Sequence, residues 1–404
     1  MTENKEQRKK IFGEVLTPMS LVNNMLGKLP VEVWSNPNLT WCDPAVGTGN
    51  FLLGALERLM NGLEKAIPDS RQRKKHILEN MLFGCELQLR NVLLTRGCLD
   101  PENKYKLNIK CADSLKFDFW GKKFDVVMGN PPYQAEKHRV KATNKGTCGT
   151  IIWDQFVYKG IELTKDNGYL CFVHPAGWRR PNKNTIALYH AMTSLQMDYL
   201  EMHSIRDGES VFGACTQYDW YVLKNCPNSG TTMVKGQDGN VCQIDLRDWP
   251  VLPNSQFDTI KGILAKDGEP KCEILHSYSA YETRSDWISE VQCGLFQHPC
   301  VYSLPQKGIQ LKYSNTKTNG HFGVPKVIFS NGAASQVIID KDGKYGLTQF
   351  AYGIVDDVEN LPKIKKAMES KKFVDLCGSF RFTLDKYDDD FISLFRKDFW
   401  KEFV

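Results

Sequence analysis

The stretch Asp-Val-Val-Met-Gly-Asn-Pro-Pro-Tyr at residues 125–133 constrains the fold of this chain more than any other. Its apolar residues 126–128 are typical of a buried strand, and Gly129 with the two prolines after it cannot continue a sheet ladder. We therefore expect a parallel strand that ends near Gly129 and continues into a stiff loop. Ligands of open parallel sheets bind just beyond the carboxyl ends of the strands, so this loop is predicted to line a ligand crevice.

The side chains of this loop suggest what it could bind. The amide oxygen of Asn130 and the rigid carbonyls of Pro131 and Pro132 can accept the two hydrogens of one flat amino group. The ring of Tyr133 can stack on the plane that carries that group. The alternative is a proline-rich surface turn that binds nothing.

A glycine-rich turn follows an earlier predicted strand, within residues 39–50. Gly47 and Gly49 allow the backbone to approach a ligand closely. The turn lacks the G-x-G-x-x-G spacing of dinucleotide-binding proteins and the Lys-Ser/Thr of a phosphate loop. Because Asp43 lies just ahead of the glycines, the turn favours a cofactor with an ammonium or sulfonium charge over one with a pyrophosphate.

Two further predicted strands also end in acidic residues. Residues 81–86 end at Glu86, whose carboxylate could hold both hydroxyls of a ribose. Residues 107–114 end near Asp113, which could accept a hydrogen bond from an adenine amino group. A single acid of this kind is more often a solvated strand end, but three successive ones indicate a cofactor site.

Several local features complete the first half of the chain. Thr17 and Pro18 are predicted to be the N-cap and first residue of an apolar helix. His174 ends a predicted strand and is interpreted as a packing residue rather than a catalytic base. Phe212 lies between two strand-like runs and is either a core residue or a second aromatic wall for a substrate.

Basic and aromatic residues outside the predicted strands could contact nucleic acid. Residues 134–150 are interpreted as a basic loop suited to phosphate contact, or alternatively as a solvated surface loop. Residues 311–355 mix cations, tyrosines and amides, which suits base-edge contacts or an α+β domain of another function. Asp342-Gly343, between two short apolar runs, predicts a β-hairpin. The residues predicted to bind DNA are Lys137, Arg139, Lys141, Lys145, Lys312 and Tyr313.

Length and composition predict a two-domain globular protein. The 404 residues favour two domains, 1–225 with alternating strands and helices and 226–404 rich in turns. A net charge of +5 is compatible with a polyanionic partner without requiring one. The 13 cysteines show no metal-binding spacing, which predicts reduced thiols, no metal site and a cytoplasmic location. No apolar run approaches the length of a membrane span.

The motifs in this order resemble the DNA adenine-N6 methyltransferases of the gamma group. The resemblance rests on Gly-Glu-Val-Leu-Thr-Pro, Asp-Pro-Ala-Val-Gly-Thr-Gly-Asn-Phe, Cys-Glu-Leu, Ala-Asp-Ser and Asn-Pro-Pro-Tyr, and it covers residues 10–225. It implies an α/β fold, with a Rossmann-like S-adenosylmethionine-dependent methyltransferase sheet and a C-terminal α+β target-recognition domain. It also implies transfer of a methyl group to the N6 amino group of an adenine flipped out of duplex DNA.

The resemblance assigns a role to each motif residue of this chain. Thr17, Pro18, Asp43, Ala45 and Gly47 would surround the methionine part of S-adenosylmethionine. Glu86 would hold the ribose, Asp113 the adenine amino group, and Phe156 would line the adenine pocket. The catalytic residues would be Asn130, Pro131, Pro132, Tyr133 and Phe212.

Other readings use the same motif. A protein glutamine methyltransferase also carries Asn-Pro-Pro-Tyr but needs neither the N-terminal motif nor a large basic C-terminal domain. An RNA base amino-methyltransferase is the other alternative. If the chain acts on DNA, we expect a monomer that binds double-stranded DNA. It would be either an orphan methylase or the modification enzyme of a restriction-modification system, which would also include a separate restriction endonuclease.

Overall fold

The computed structural model describes residues 16–134, 151–330, 336–382 and 389–404. The chain divides into two compact units, Met1–Leu252 and Pro253–Val404. The α-helices of the described residues are α1 (Met19–Leu26), α2 (Asn50–Gly62), α3 (Ser70–His76), α4 (Leu89–Leu99), α5 (Trp153–Leu163), α6 (Ile186–Thr193), α7 (Ile205–Phe212), α8 (Phe257–Ile263), α9 (Leu361–Glu369) and α10 (Lys371–Gly378).

The strands are distributed over both units. In the first unit they are β1 (Trp41–Asp43), β2 (Leu82–Glu86), β3 (Asn108–Cys111), β4 (Phe124–Gly129), β5 (Thr164–Pro175), β6 (Leu195–His203), β7 (Tyr218–Pro227), β8 (Thr232–Lys235) and β9 (Val241–Ile244). In the second unit they are β10 (Glu273–Leu275), β11 (Ile288–Ser289), β12 (His298–Ser303), β13 (Gln310–Ser314), β14 (Lys326–Ser330), β15 (Ile338–Asp340), β16 (Gly346–Leu347) and β17 (Ala351–Val355).

The first unit is built on one nine-stranded sheet of order β3-β2-β1-β4-β5-β7-β6-β8-β9. Strands β3, β2, β1, β4 and β5 run parallel, whereas β7 is antiparallel to both β5 and β6. The carboxyl ends of the parallel strands therefore share one edge of the sheet, and β7 begins at that edge. The predicted fold class, a Rossmann-like α/β sheet followed by an α+β unit, is confirmed.

The central strands are buried because helices cover the sheet. Trp41 of β1 and Val126 of β4 are fully buried in one core with Leu52 of α2. Because both faces of the strand before Asn-Pro-Pro-Tyr are buried, its sequence is a continuous apolar run and does not alternate between apolar and polar residues. The predicted strand before Gly129 is confirmed as β4.

The first unit extends further along the chain than the sequence suggested. The predicted boundary lies at residue 225, but β8 continues the sheet beside β6 with Tyr199 opposite Met233. Leu252 also exchanges hydrogen bonds with the buried Arg179, whose Nη1 donates to the Leu252 carbonyl at 3.3 Å. Residues 226–252 look turn-rich because their strands are short, and their pairing with β6 places them in the first unit.

The second unit contains two four-stranded sheets, β10-β17-β14-β15 and β11-β13-β12-β16. Val301 of β12 and Ile328 of β14 belong to one buried cluster, so the two sheets share a core. This is the α+β character expected of the C-terminal half. None of the described helices is both long and apolar enough to cross a membrane.

The hairpin predicted at Asp342-Gly343 is wrong. β15 pairs with β14 in one sheet, whereas β16 pairs in parallel with β12 in the other. The cause is Asp340, whose carboxylate accepts from the backbone nitrogens of Lys344 at 2.7 Å and Tyr345 at 3.0 Å. The turn therefore folds back on Asp340 and directs the chain into the second sheet.

Candidate active site

Asp43 lies at the centre of the carboxyl edge, where β1 ends between β2 and β4. Its side chain is fully buried, and Oδ1 accepts a hydrogen bond from the backbone nitrogen of Ala45 at 2.9 Å. Oδ2 has no hydrogen-bond partner among the described residues. Burial, together with the nearby Glu86 carboxylate, raises the pKa of Asp43 to about 8. A buried carboxyl of this kind is a ready partner for a cation.

The last residue of β4 packs directly against Asp43. A Cβ atom added to Gly129 would lie 2.7 Å from Asp43 Oδ1, so only glycine allows the two strands to end this close together. The Asn-Pro-Pro-Tyr loop therefore leaves the sheet next to the buried acid, as the sequence predicts for one crevice.

The glycine-rich turn is held in a left-handed backbone conformation. Gly47 has φ 54° and Gly49 has φ 90°, and Gly49 is the N-cap of α2. A Cβ atom on Gly49 would meet Thr95 of α4 at 2.8 Å, whereas one on Gly47 would meet nothing nearer than 4.0 Å. Thr95 also donates from Oγ1 to the Gly47 carbonyl at 3.2 Å, which fixes the turn from the neighbouring helix.

Glu86 connects the end of β2 to the same turn. Its Oε2 accepts from the backbone nitrogen of Gly47 at 2.9 Å, and Oε1 accepts from that of Gln88 at 2.9 Å. The sequence predicted a ribose ligand at this position, and the structure shows in addition that Glu86 shapes the turn. A carboxylate oxygen can accept more than one hydrogen bond, so these contacts are compatible with a ligand.

Thr17 joins the N-terminal segment to two other parts of the site. Asn130 donates from Nδ2 to Thr17 Oγ1 at 3.0 Å, and Asn50 donates from Nδ2 to the Thr17 carbonyl at 2.7 Å. Thr17 was predicted to cap a helix, but α1 has Pro18 as its N-cap and no side-chain capping bond. That prediction is wrong because the hydroxyl accepts from Asn130.

The rest of the Asn-Pro-Pro-Tyr loop is partly covered. Pro131 is buried and Pro132 is half-buried. The Tyr133 hydroxyl is buried, and this burial, followed by the neighbouring Tyr218, raises the pKa of Tyr133 well above its usual value. Tyr133 is therefore neutral, as a ring that stacks on a base should be.

Phe212 is the last residue of α7, the helix that lies between the two predicted strands, β6 and β7. Gly213 follows with φ 60° and ends the helix in a left-handed conformation. The Phe212 ring is buried and meets the Tyr218 ring edge-on, with centroids 4.8 Å apart. It belongs to the core of the first unit, and its predicted contact with a substrate remains a prediction.

Asp113 and Phe156 were both predicted to contact the adenine of a cofactor. Asp113 follows β3, where Oδ1 accepts from the backbone nitrogen of Leu115 at 3.1 Å and Oδ2 pairs with Lys116 at 3.1 Å. Its side chain is 41% exposed, so it remains accessible to a ligand. Phe156 is buried on α5. Both roles remain predictions.

His174 fits its interpretation as a packing residue. The ring is fully buried and stacks on Trp153 with centroids 4.7 Å apart. Burial lowers the pKa of His174 to about 4, so the imidazole is neutral at physiological pH.

Two of the predicted DNA-binding residues lie in the second unit, on β13. Lys312 forms an ion pair with Glu290 at 2.5 Å and lies over the Tyr302 ring, whereas the next residue, Tyr313, is half-buried on the opposite face. The ion pair with Glu290 uses one of the three donors of the Lys312 ammonium, so contact with a phosphate remains a prediction. Lys137, Arg139, Lys141 and Lys145 lie outside the described residues.

Several residues that shape the site were not predicted from the sequence. Asn50 and Thr95 tie the glycine-rich turn to its surroundings. Thr95 gives a recognisable signal, because it is a buried polar residue on the apolar face of α4 beside Val92 and Leu99. Asn50, directly after Gly49, gives no comparable signal, since many helices begin with a polar residue.

Comparison with known proteins places this site in context. The family described as "Eco57I restriction-modification methylase" matches residues 59–212, a stretch that includes Glu86, Asn-Pro-Pro-Tyr and Phe212. An "Uncharacterized adenine-specific methylase" of Mycoplasma pneumoniae is 27% identical, over 49% of this chain and 63% of that protein. The chain is similar to restriction-modification methylases.

Two further comparisons extend this likeness. "Modification methylase CviBIII" of Paramecium bursaria Chlorella virus NC1A is 24% identical, over 57% of this chain and 53% of that protein. The chain thus spans between half and two thirds of the length of these two curated relatives. The solved structure of the Type IIL restriction-modification enzyme MmeI in complex with DNA superposes with a TM-score of 0.56, covering 98% of this chain and 68% of that one at 12% identity. At that identity the likeness concerns the fold.

Proposed function

We propose that this chain is a DNA adenine-N6 methyltransferase that uses S-adenosylmethionine and serves as a modification enzyme of the restriction-modification type. The observation that carries the proposal is the placement of Asn130. It follows β4 directly beside the buried Asp43 and the glycine-rich turn, and its amide is oriented by Thr17. Similarity to adenine-specific and modification methylases supports the choice of adenine and of DNA.

The residues at the carboxyl edge fit the proposed cofactor. Asp43 is a fully buried carboxyl with one oxygen that has no partner among the described residues, and it suits the positive end of the molecule. The left-handed Gly47 leaves room for it, and Glu86 and Asp113 offer acceptors for its ribose and adenine. When bound, S-adenosylmethionine supplies an activated methyl group on a sulfonium.

Asn130 and Pro131 are proposed to prepare the adenine for reaction. The N6 lone pair of adenine is delocalised into the ring and is a poor nucleophile. An amide oxygen from Asn130 and the carbonyl of Pro131 would accept the two amino hydrogens, localise the lone pair and hold it in line for transfer. The transfer needs no covalent enzyme intermediate, so none of the cysteines has a required role.

Tyr133 is proposed to stabilise the adenine outside the duplex. Extruding a base costs a few kcal/mol of unstacking and unpairing. Stacking on an aromatic ring returns about 1–3 kcal/mol per base, so Tyr133 with a second wall at Phe212 would offset much of the cost.

The test is the substitution Asn130→Ala in the full-length chain. We expect it to retain S-adenosylmethionine binding, measured by calorimetry, and to lose methyl transfer by about 10²–10³ in rate, because one preorganised acceptor is removed. Genomic DNA from cells that express the parent should carry N6-methyladenine at one sequence context.

Asn61→Ala is the matched control, because this asparagine is exposed near the C-terminal end of α2, whereas the other end of that helix begins at the site with Asn50. Near-normal methylation by Asn130→Ala would contradict the proposed role. Modification of RNA or of glutamine by the parent, without DNA methylation, would instead contradict the proposed substrate.

A further inference from the structure

The first unit contains an aromatic stack next to Phe212 that the proposed chemistry does not use. The rings of His203 and Tyr218 lie face to face, with centroids 4.3 Å apart and an interplanar angle of 5°. Phe212 meets the same Tyr218 ring at an interplanar angle of 74°. Tyr218 is thus packed between His203 on one side and Phe212 on another.

The sheet register places this stack at the carboxyl edge. Gly129 of β4 lies opposite Phe172 of β5, which lies opposite Tyr221 of β7. Tyr218 is three residues from Tyr221 toward the carboxyl edge, and the Asn-Pro-Pro-Tyr loop continues from Gly129 in the same direction. Burial and then the Tyr218 hydroxyl raise the pKa of Tyr133, which agrees with a short separation between the two tyrosines.

His203 is itself held in position by polar contacts. Its Nε2 accepts from Trp220 Nε1 at 3.2 Å and lies 3.4 Å from Glu201 Oε1. Glu201 is fixed in turn by the Tyr199 hydroxyl at 2.7 Å and by Lys235 Nζ at 3.0 Å. His203 is 20% exposed, so burial and these polar contacts together hold its ring in place.

We propose that His203 is a positioning residue that holds the Tyr218 ring, and through it the Phe212 wall of the base pocket. The inference rests on the proposed function, because the wall matters only if a base is flipped. The physical reason is that Phe212, the last residue of α7, packs edge-on against the Tyr218 ring, so its side chain depends on that ring for support. A flat ring behind Tyr218 supplies the support.

The experiment compares His203→Phe with His203→Leu in the full-length chain. Both remove the imidazole nitrogens, but only phenylalanine retains a flat ring that can stack on Tyr218. The readouts are kcat/KM for duplex DNA, the dissociation constant for S-adenosylmethionine, and the fluorescence of 2-aminopurine placed at the adenine that the parent methylates.

We expect His203→Leu to lower the 2-aminopurine signal and kcat/KM for DNA about three- to tenfold, as expected for loss of one aromatic pair. His203→Phe should lose clearly less than His203→Leu, because it keeps the stacking ring and lacks only the nitrogen contacts, and cofactor affinity should be unchanged in both variants. A general loss of structure would weaken cofactor binding as well, and would therefore be recognised.

His190→Leu is the matched control. His190 also lies beside a tyrosine ring, Tyr189, with centroids 6.0 Å apart, but it is on α6, which precedes β6 and so lies at the other end of that strand. Parent-like flipping by His203→Leu would overturn the inference, and so would equal losses in His203→Leu and His203→Phe. If the parent protein methylates no adenine, the proposed function is wrong, and this inference fails with it.

Discussion

At the scale of single residues, the buried Asp43 carboxyl sets the electrostatics of the site. Its pKa rises from 3.8 to about 8 because burial disfavours the charged form. Because its folded-state pKa is raised, the Asp43 carboxyl makes its full contribution to the free energy of unfolding below about pH 4. This contribution is lost as the pH rises through about 8. Asp43 is therefore largely protonated at neutral pH in the free protein.

The first residue-scale prediction is that cofactor binding releases a proton from Asp43. A sulfonium or ammonium group beside Asp43 stabilises the carboxylate, so affinity should rise by up to about tenfold per pH unit between pH 6 and 8. Calorimetry of S-adenosylmethionine binding in buffers with different ionisation enthalpies will measure the proton count. Asp43→Asn should abolish the buffer dependence, whereas a parent whose binding enthalpy is the same in every buffer would contradict the prediction.

The hydroxyl of Thr17 gives a second residue-scale prediction. It accepts the Asn130 amide at 3.0 Å, so Thr17→Val should loosen that amide without removing it. One hydrogen bond contributes about 0.5–1.5 kcal/mol, and we expect a roughly three- to tenfold slower methyl transfer in single-turnover measurements. Thr17→Ser keeps the hydroxyl and should behave like the parent. Equal slowing in the two variants would show that the methyl group, not the hydroxyl, matters.

At the scale of elements, the glycine-rich turn is fixed by α4 as well as by its own sequence. Gly47 and Gly49 both have positive φ, but only Gly49 faces a neighbouring helix closely, at Thr95. The turn therefore has one glycine required by backbone conformation and one required by both conformation and packing.

This difference gives an element-scale prediction. Gly47→Ala should cost about 1–2 kcal/mol of unfolding free energy from the left-handed backbone alone. Gly49→Ala should cost more, because its Cβ would overlap Thr95 at 2.8 Å. Urea denaturation will measure both changes. In the double variant with Thr95→Ala, part of the Gly49→Ala cost should disappear. If the changes in unfolding free energy of Gly49→Ala and Thr95→Ala simply add in the double variant, the overlap with Thr95 is not the cause of the extra cost.

At the scale of the whole molecule, we expect the two compact units to have different functions, catalysis in the first and sequence recognition in the second. The residues proposed for cofactor and chemistry lie before residue 252, whereas Tyr313 and Asn315 lie in the second unit. Two other amide side chains of the second unit, Asn319 and Gln336, donate to the backbone carbonyls of Ala280 and Gln306, respectively. They are therefore occupied in holding loops.

The whole-molecule prediction concerns sequence recognition. The combined changes Tyr313→Phe and Asn315→Ala should leave cofactor affinity unchanged and weaken the preference for the methylated site over random duplex. Each good base contact discriminates by roughly 1–3 kcal/mol, which sets the expected loss. Competition binding at one fixed salt concentration measures this preference. Gln243→Ala, at the exposed β9 edge of the first unit, is the control. An unchanged preference would place recognition elsewhere.

The sequence by itself determined the local order of the first unit. The apolar run before Gly129, the glycine pair after Asp43 and the acid at Glu86 each depend on neighbouring residues, so strand, turn and helix follow from short-range rules. Their shared edge also followed, because parallel strands present their carboxyl ends together.

Only the tertiary structure decided which distant groups meet. Thr17 and Asn130 are 113 residues apart, and nothing in either segment indicates their hydrogen bond. The failed hairpin at Asp342-Gly343 has the same origin, because Asp340 binds the turn and sends the next strand to another sheet. The assignment of β8 and β9 to the first unit likewise depends on pairing with a distant strand. Such contacts depend on packing and long-range pairing, which local propensity does not encode.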